Sequence, residues 1–218
     1  MKWKLIVPLG IICCQAFLLA SNELNNTRLN VDIYYDVRNY RSRDFFKYQF
    51  LKSYEDVKDY IKVTLIPYHY TMIASNSAFS CPNEHPGCFD GEFHACAADQ
   101  LDPEDYNTYK VLTTVNLFYC ALSIKVSDIS FYKCAEIVGM DKGIIKDIGQ
   151  CVEWGAGYML ITKYNLKMRA LKTTIVFTPT VVINGVYTRA NHIMGRNNFF
   201  KLICTNLRPY HRPDKCRG

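Results

Sequence analysis

Alternation and helical recurrence of apolar positions divide this chain into strands and helices before any single residue is considered. Val31, Ile33 and Tyr35 alternate with Asp32, Tyr34 and Asp36, and their β-branched and aromatic side chains suit a strand. A short polar turn, Val37 to Ser42, follows. Phe45, Phe46, Phe50 and Leu51 then recur at helical spacing, so a helix is predicted to leave the turn. Val57 to Pro67 carries Ile61, Val63, Leu65 and Pro67 in alternation and predicts a second strand. Strand, helix and strand in that order predict a βαβ unit with a right-handed crossover. From Tyr68 to Asp102 the periodicity lapses and Cys, Pro, Gly and His accumulate, which predicts an irregular loop stapled by disulfides. Pro103 to Lys172 reads as several helices. One apolar face carries Val111, Val115, Leu117, Phe118 and Leu122; another carries Ile137, Ile144, Ile145 and Ile148, interrupted by Gly139 and Gly143. Strand character returns at Thr173 to Phe177 and at Thr180 to Ile183. Asn184-Gly185, between Val181-Val182-Ile183 and Val186-Tyr187, predicts a hairpin because both turn positions favour positive φ. A last helix is expected from Asn197 to Leu207, presenting Phe199, Phe200, Leu202 and Ile203. No repeat or linker interrupts the pattern, which describes one α/β domain with a helical insertion after the second strand.

The first twenty residues change the picture of where the chain works. Lys2 and Lys4 precede an apolar run from Leu5 to Ala20, and small residues Ala20 and Ser21 close it. This is the form of a secretory signal peptide, residues 1–20, with residues 21–218 as the mature domain. The run is short for a membrane span and holds Pro8, Gly10 and Gln15, and no later segment approaches a span. Cleavage removes Lys2 and Lys4 and lowers the formal charge from +6 to +4. The remaining basic residues are scattered among Asp and Glu, which argues against a nucleic-acid partner. Cys13 and Cys14 leave as well. Cys81, Cys88, Cys96, Cys120, Cys134, Cys151, Cys204 and Cys216 remain, an even set that predicts disulfides in an oxidising compartment. Their connectivity stays open, apart from the expectation that Cys204 and Cys216 join each other or tie back to the domain. Asn25-Asn26-Thr27 is an N-glycosylation sequon, on Asn25.

A strand, turn and helix near the mature N-terminus of a cysteine-rich secreted chain is where thioredoxin-like enzymes keep a C-x-x-C motif. There the helix N-terminus stabilises a thiolate. Here the corresponding residues are Asn39-Tyr40-Arg41-Ser42. Downstream, Phe177-Thr178-Pro179-Thr180 enters VVINGVY, where such folds hold a cis-proline beside the redox motif; Thr178 and Pro179 are therefore expected to line a groove next to that turn. Cys81, Cys88 and Cys96 are separated by six and then seven residues. Together with VDIYYD, LIPY, Cys120, Cys134, Cys151, FTPTVVING, Cys204 and Cys216, this distribution resembles the gamma-interferon-inducible lysosomal thiol reductase (GILT) family across essentially the whole mature chain.

The resemblance implies a thioredoxin-like fold with a helical insertion and a disulfide-stapled loop. It also implies enzymes that reduce protein disulfides in the endosomal and lysosomal lumen, one cysteine attacking and a second resolving the mixed disulfide. The family's two redox cysteines fall on Asn39 and Ser42. The family loop begins C-Q-H-G, whereas Pro82, Asn83 and Glu84 follow Cys81 here. Gly87 stands where the family has Glu, and Gly91 where it has Asn. Disulfide exchange needs a thiolate to attack and a thiol to resolve. Neither an amide nor a hydroxyl supplies that, and Ser42 is expected to cap the following helix instead. Arg38, Arg41 and Arg43 crowd the turn, either as a solvated surface or as an anion- or partner-binding patch. Cys81, His85, Cys88, His94 and Cys96 lack the paired short knuckles of common zinc sites, so disulfides are expected there and no metal or other cofactor. His69, His192 and His211 stand alone, and no G-x-S-x-G elbow is present for serine chemistry.

The expectation is thus a binding or accessory protein, acting on secreted or endocytosed protein clients in the secretory pathway, the endosomal or lysosomal lumen or outside the cell. The rival is a thiol-disulfide oxidoreductase that uses other cysteines.

Overall fold

In the computed structural model, which describes residues 28–68, 86–101, 108–123, 128–171 and 177–217, strand β1 (Leu29–Tyr35) lies at the centre. It pairs in parallel with β2 (Ile61–Pro67), Leu29 opposite Ile61 and Tyr35 opposite Pro67. On its other side it pairs antiparallel with β3 (Thr180–Ile183), Val31 opposite Ile183. The order is β2-β1-β3. Both faces of this sheet are covered. Val31, Ile33 and Tyr35 join the main core, while Tyr34 and Val182 pack with Ile66, Tyr68 and Met168 on the opposite face. The alternation in β1 therefore does not mark a solvent face. Asp32 is buried, and Lys167 Nζ reaches it at 2.8 Å.

The β1–β2 crossover is one continuous helical path: α1 (Tyr40–Phe45), a π turn (Phe46–Phe50) and α2 (Leu51–Val57). A 3-10 turn, Lys58–Tyr60, ends it. Phe45, Phe46, Phe50, Tyr54 and Val57 are buried along it, and Phe45 and Phe50 meet the Phe199 ring at 5.8 and 5.4 Å between centroids. The second strand consequently begins at Ile61, not Val57. Val57 belongs to the helix because its side chain completes this buried face.

The insertion between β2 and β3 comprises α3 (Pro86–Gln100), α4 (Thr108–Ser123), α5 (Asp128–Ile137), α6 (Lys142–Glu153) and α7 (Ala156–Ala170). Helix α3 corrects the expectation of an irregular loop up to Asp102. It packs against β2, α4, α6 and α7, and Asp90, Gly91, Phe93, His94, Ala95, Cys96, Ala97 and Ala98 are all buried. A helix buried along most of its described length shows no continuous polar stripe, so the 3.6-residue period that reveals surface helices is missing. The expected isoleucine face is also divided. Helix α5 ends at Ile137, which is exposed; Gly139 turns with φ +70°, and Asp141 caps α6 by accepting from Gly143 N at 2.7 Å. Of the four isoleucines, Ile148 is the fully buried one.

Asn184 and Gly185 have φ of +51° and +72°, the geometry expected of that pair. The returning arm is a single bridge, Ile183 to Val186, in place of a strand. Thr188 then caps a helix absent from the sequence expectation, α8 (Arg189–Asn197). The last helix is α9 (Phe199–Asn206), capped by Asn198. Thr173 to Val176, expected as strand, lie outside the described residues, and Phe177 is an exposed bend. Disulfides tie α3 to α6 through Cys96–Cys151, α4 to α5 through Cys120–Cys134, and α9 to the C-terminal turn through Cys204–Cys216. Residues 1–20, Asn25, His69, Cys81 and His85 lie outside the described residues, and Cys88 is described for its backbone in α3 alone.

Candidate functional site

Strand β1 delivers the chain to a turn that is held by its own side chains. Asn39 has extended backbone angles, φ −94° and ψ 119°, and is the N-cap of α1, its Oδ1 accepting from Arg41 N at 2.8 Å. Ser42 is the third residue of α1 and fully buried, and its Oγ accepts from Asp36 N at 3.1 Å. The expectation that Ser42 caps the helix is corrected. The helix starts three residues earlier than a Ser42 cap would require, so Asn39 caps it and Ser42 closes the turn backward onto Asp36. Across the gap from β3, Thr178 Oγ1 accepts from Asn39 Nδ2 at 3.4 Å. The Thr178–Pro179 peptide bond is cis, and Pro179 is buried. Residues 139 positions apart are thereby in contact.

The three arginines of the turn separate into different roles. Arg38 spans to α3, its Nη2 lying 2.7 Å and its Nε 2.8 Å from Asp90 Oδ2. Arg43 bonds Asp44 Oδ1 through Nη2 at 2.9 Å and Nε at 3.0 Å. Arg41 extends over the Tyr40 ring, 5.6 Å from its centroid. Asp90 was not singled out in the sequence, because nothing there reveals the helix that presents it.

The family model for gamma interferon inducible lysosomal thiol reductase (GILT) matches residues 30–138. The chain belongs to the GILT family. It is 23% identical over 198 residues to a gamma-interferon-inducible lysosomal thiol reductase-like protein of Anopheles gambiae, covering 87% of this chain and 80% of the relative. A gamma-interferon-inducible lysosomal thiol reductase of Carassius auratus is 22% identical over 197 residues, covering 89% and 74%. Among solved structures, the thiol-disulfide oxidoreductase MdbA of Actinomyces oris superposes with a TM-score of 0.53 over 84% of each chain, at 14% identity. That likeness concerns the fold, which is thioredoxin-like with a helix-rich insertion.

Behind the turn of this GILT-family chain lies a buried aromatic cluster. Tyr35 OH and His94 Nδ1 are hydrogen-bonded at 3.0 Å, and His94 stacks on Phe118 with centroids 4.3 Å apart. Burial pushes the His94 pKa down to about 3, so the imidazole is neutral. His94 was grouped in sequence with Cys81, His85, Cys88 and Cys96; the structure gives His94 to Tyr35 and Cys96 to Cys151. Next along the chain from Pro179, Thr180 Oγ1 lies 3.1 Å from Nδ1 of the buried His192, whose ring is stacked 6.5 Å from Phe177. Burial, and then the nearby Arg196 charge, lower its pKa. His211 lies in the 3-10 turn Pro209–His211, with its ring 4.7 Å from Tyr210, away from the site. Arg196, on the unforeseen helix α8, was the other residue missed. Each cysteine whose side chain is described, Cys96, Cys120, Cys134, Cys151, Cys204 and Cys216, is in a disulfide.

Proposed function

We propose that this GILT-family chain binds protein clients in the secretory or endosomal–lysosomal lumen, or outside the cell, and performs no disulfide exchange at the Asn39–Ser42 turn. The observation that carries this reading is the state of the two side chains at the start of α1. Asn39 presents an amide engaged with Arg41 N and Thr178 Oγ1, and Ser42 a buried hydroxyl engaged with Asp36 N. In the family pattern set out above, these positions carry the attacking and resolving cysteines. Exchange forms a new S–S bond to the attacking sulfur and expels a thiolate, which the resolving sulfur later displaces. An amide and a hydroxyl take part in neither step. What the turn retains is a half-buried Asn39 beside the buried Thr178–Pro179 peptide at the start of β3, and an extended client segment pairs along this strand end by main-chain hydrogen bonds.

The rival reading is disulfide reduction by other cysteines, and one set of variants separates the two. In a protein-disulfide reduction assay, wild-type protein is expected to add nothing to the rate of the buffer thiol. Asn39→Cys with Ser42→Cys recreates a dithiol at a helix N-terminus beside Arg41, which favours thiolate, and is expected to gain turnover. Asn39→Cys alone is expected to accumulate mixed disulfides with clients, because no resolving thiol follows. Wild-type turnover that survives replacement of this turn would overturn the proposal.

A further inference from the structure

The turn's arginines leave one charge unaccounted for, and helix α8 adds a second. Arg38 is held by Asp90 and Arg43 by Asp44. Among the described residues, no carboxylate stands in ion-pair contact with Arg41 or Arg196. Both line one cavity of about 220 Å³, together with Asp44, Tyr48, Gln49, Pro179 and Asn197. Helices α1 and α8 form its walls, and Pro179 closes the side next to the Asn39–Thr178 contact. Gln49 uses its Oε1 to accept from Phe199 N at 3.4 Å, so the amide NH2 is its remaining polar group. The carboxylate that lines the cavity, Asp44, is already neutralised by Arg43 at 2.9 Å. Among the described residues, the lining thus carries two arginines without an ion-pair partner, the amides of Gln49 and Asn197, and one carboxylate that is already paired.

We infer that this cavity is an acidic-side-chain pocket: it takes the carboxylate of a Glu or Asp in an extended client segment lying across Thr178–Pro179. The size sets the class. Sites for drug-sized ligands and cofactors run from roughly 300 to 1,000 Å³, so this one admits a single side chain. Guanidinium forks match a carboxylate through paired N–H donors, which is why arginine rather than lysine suits such a pocket. Its position selects a peptide source. The cavity is lined by Arg41 and Pro179, and their near neighbours in the chain, Tyr40 and Phe177, are each more than half exposed. A segment paired there would place apolar side chains on those rings and the neighbouring acidic one between Arg41 and Arg196. Clients are then distinguished by an acidic residue next to apolar ones.

The inference rests on the turn being a binding surface. The Asn39→Cys trap tests that surface with both arginines in place, so the two readings can fail separately. The closing experiment follows the Nε–Hε NMR signals of the arginines in the full mature chain. N-acetyl-glutamate-N′-methylamide, its glutamine counterpart and inorganic phosphate are titrated in turn. The glutamate probe is expected to shift Arg41 and Arg196 saturably, in the millimolar range, with Arg208 and Arg217 unmoved. The glutamine probe should shift neither, and raising NaCl from 0.05 to 0.5 M should weaken binding several-fold. Arg41→Gln and Arg196→Gln, each on an exposed or half-exposed site, should each lower affinity at least tenfold. Equal response to both peptide probes, no saturation, or phosphate occupying the site while the glutamate probe does not, would each overturn the assignment.

Discussion

Burying an imidazole ties stability to pH with a definite sign, and His94 is the residue where this applies. The residue is 3% exposed, and burial takes its pKa from 6.5 down to about 3. In the unfolded chain the same ring gains a proton as pH falls through about 6.5, while the folded ring stays neutral until about 3. Between those values the unfolded state binds more protons, so stability falls as pH drops. At about 1.4 kcal/mol per unit, moving from neutral pH to pH 5 costs on the order of 2 kcal/mol from this residue alone. Urea midpoints at pH 7 and pH 5 measure it. His94→Gln is expected to start less stable, having lost the stacking on Phe118 at 4.3 Å, yet to lose less on acidification than wild type. An unchanged pH slope would mean that other groups carry the acid sensitivity. The identity of the side chains at the turn was legible without a structure, since Asn39 and Ser42 are simply not cysteine. Their roles were not. Which of the two caps α1 depends on whether the helix starts at Tyr40 or three residues later, and propensity does not fix a helix start that closely.

Elements were legible in proportion to how clearly each divides water from core. Strands β1 and β2, with their parallel pairing, followed from alternation and from the apolar face of the helix between them. Helix α3 was hidden because the insertion surrounds it, and its close contact with α7 shows how tightly. A Cβ on Gly157 would stand 2.9 Å from Glu92 Cβ, and 3.2 Å from both Glu92 O and Cys96 Sγ. Helix α8 was hidden for the opposite reason: RANHIMGRN is mostly polar, and a glycine, Gly195, makes its approach to Val181 and Leu202. These contacts give a paired prediction. Ala in place of a helical Gly gains up to about 1 kcal/mol from propensity, against overpacking costs of about 1–3 kcal/mol. At Gly157 the obstacles are a backbone oxygen and a disulfide sulfur, which do not swing away, so Gly157→Ala should lower the urea midpoint. At Gly149 the nearest atom is the Tyr132 hydroxyl at 3.1 Å, the end of a movable side chain. Gly149→Ala should therefore be neutral or stabilising. Equal effects at the two positions would contradict the close α3–α7 approach.

For the molecule as a whole, the disulfides and the N-terminal segment give independent reasons to expect an oxidising destination. Cys96–Cys151 closes a separation of 55 residues and Cys204–Cys216 one of 12. By loop-closure entropy these are worth about 4 and about 3 kcal/mol, comparable with the roughly 5–15 kcal/mol of net stability of a whole domain. A chain so dependent on crosslinks is not expected to persist where thiols are kept reduced. Residues 1–20 have the pattern that would carry it out of the cytosol, and Asn25 the sequon that such a route would glycosylate. Three pairs account for six of the eight cysteines that follow residue 20, which leaves Cys81 and Cys88 among those eight. In the client-binding reading those two are bonded to each other and inert; in the reductase reading they are the pair that cycles. Protein secreted from a eukaryotic host is therefore expected to begin near Ser21 and to lose one glycan's mass on enzymatic deglycosylation, a shift abolished by Asn25→Gln. Native protein should show no alkylatable thiol, either as isolated or after mild reduction, and peptide mapping should recover Cys81 linked to Cys88. Release of two thiols from that pair under mild reduction, coupled to reduction of an added protein disulfide, would move the chemistry to the Cys81–Cys88 segment. The Asn39–Ser42 turn would then serve an enzyme whose sulfurs lie elsewhere.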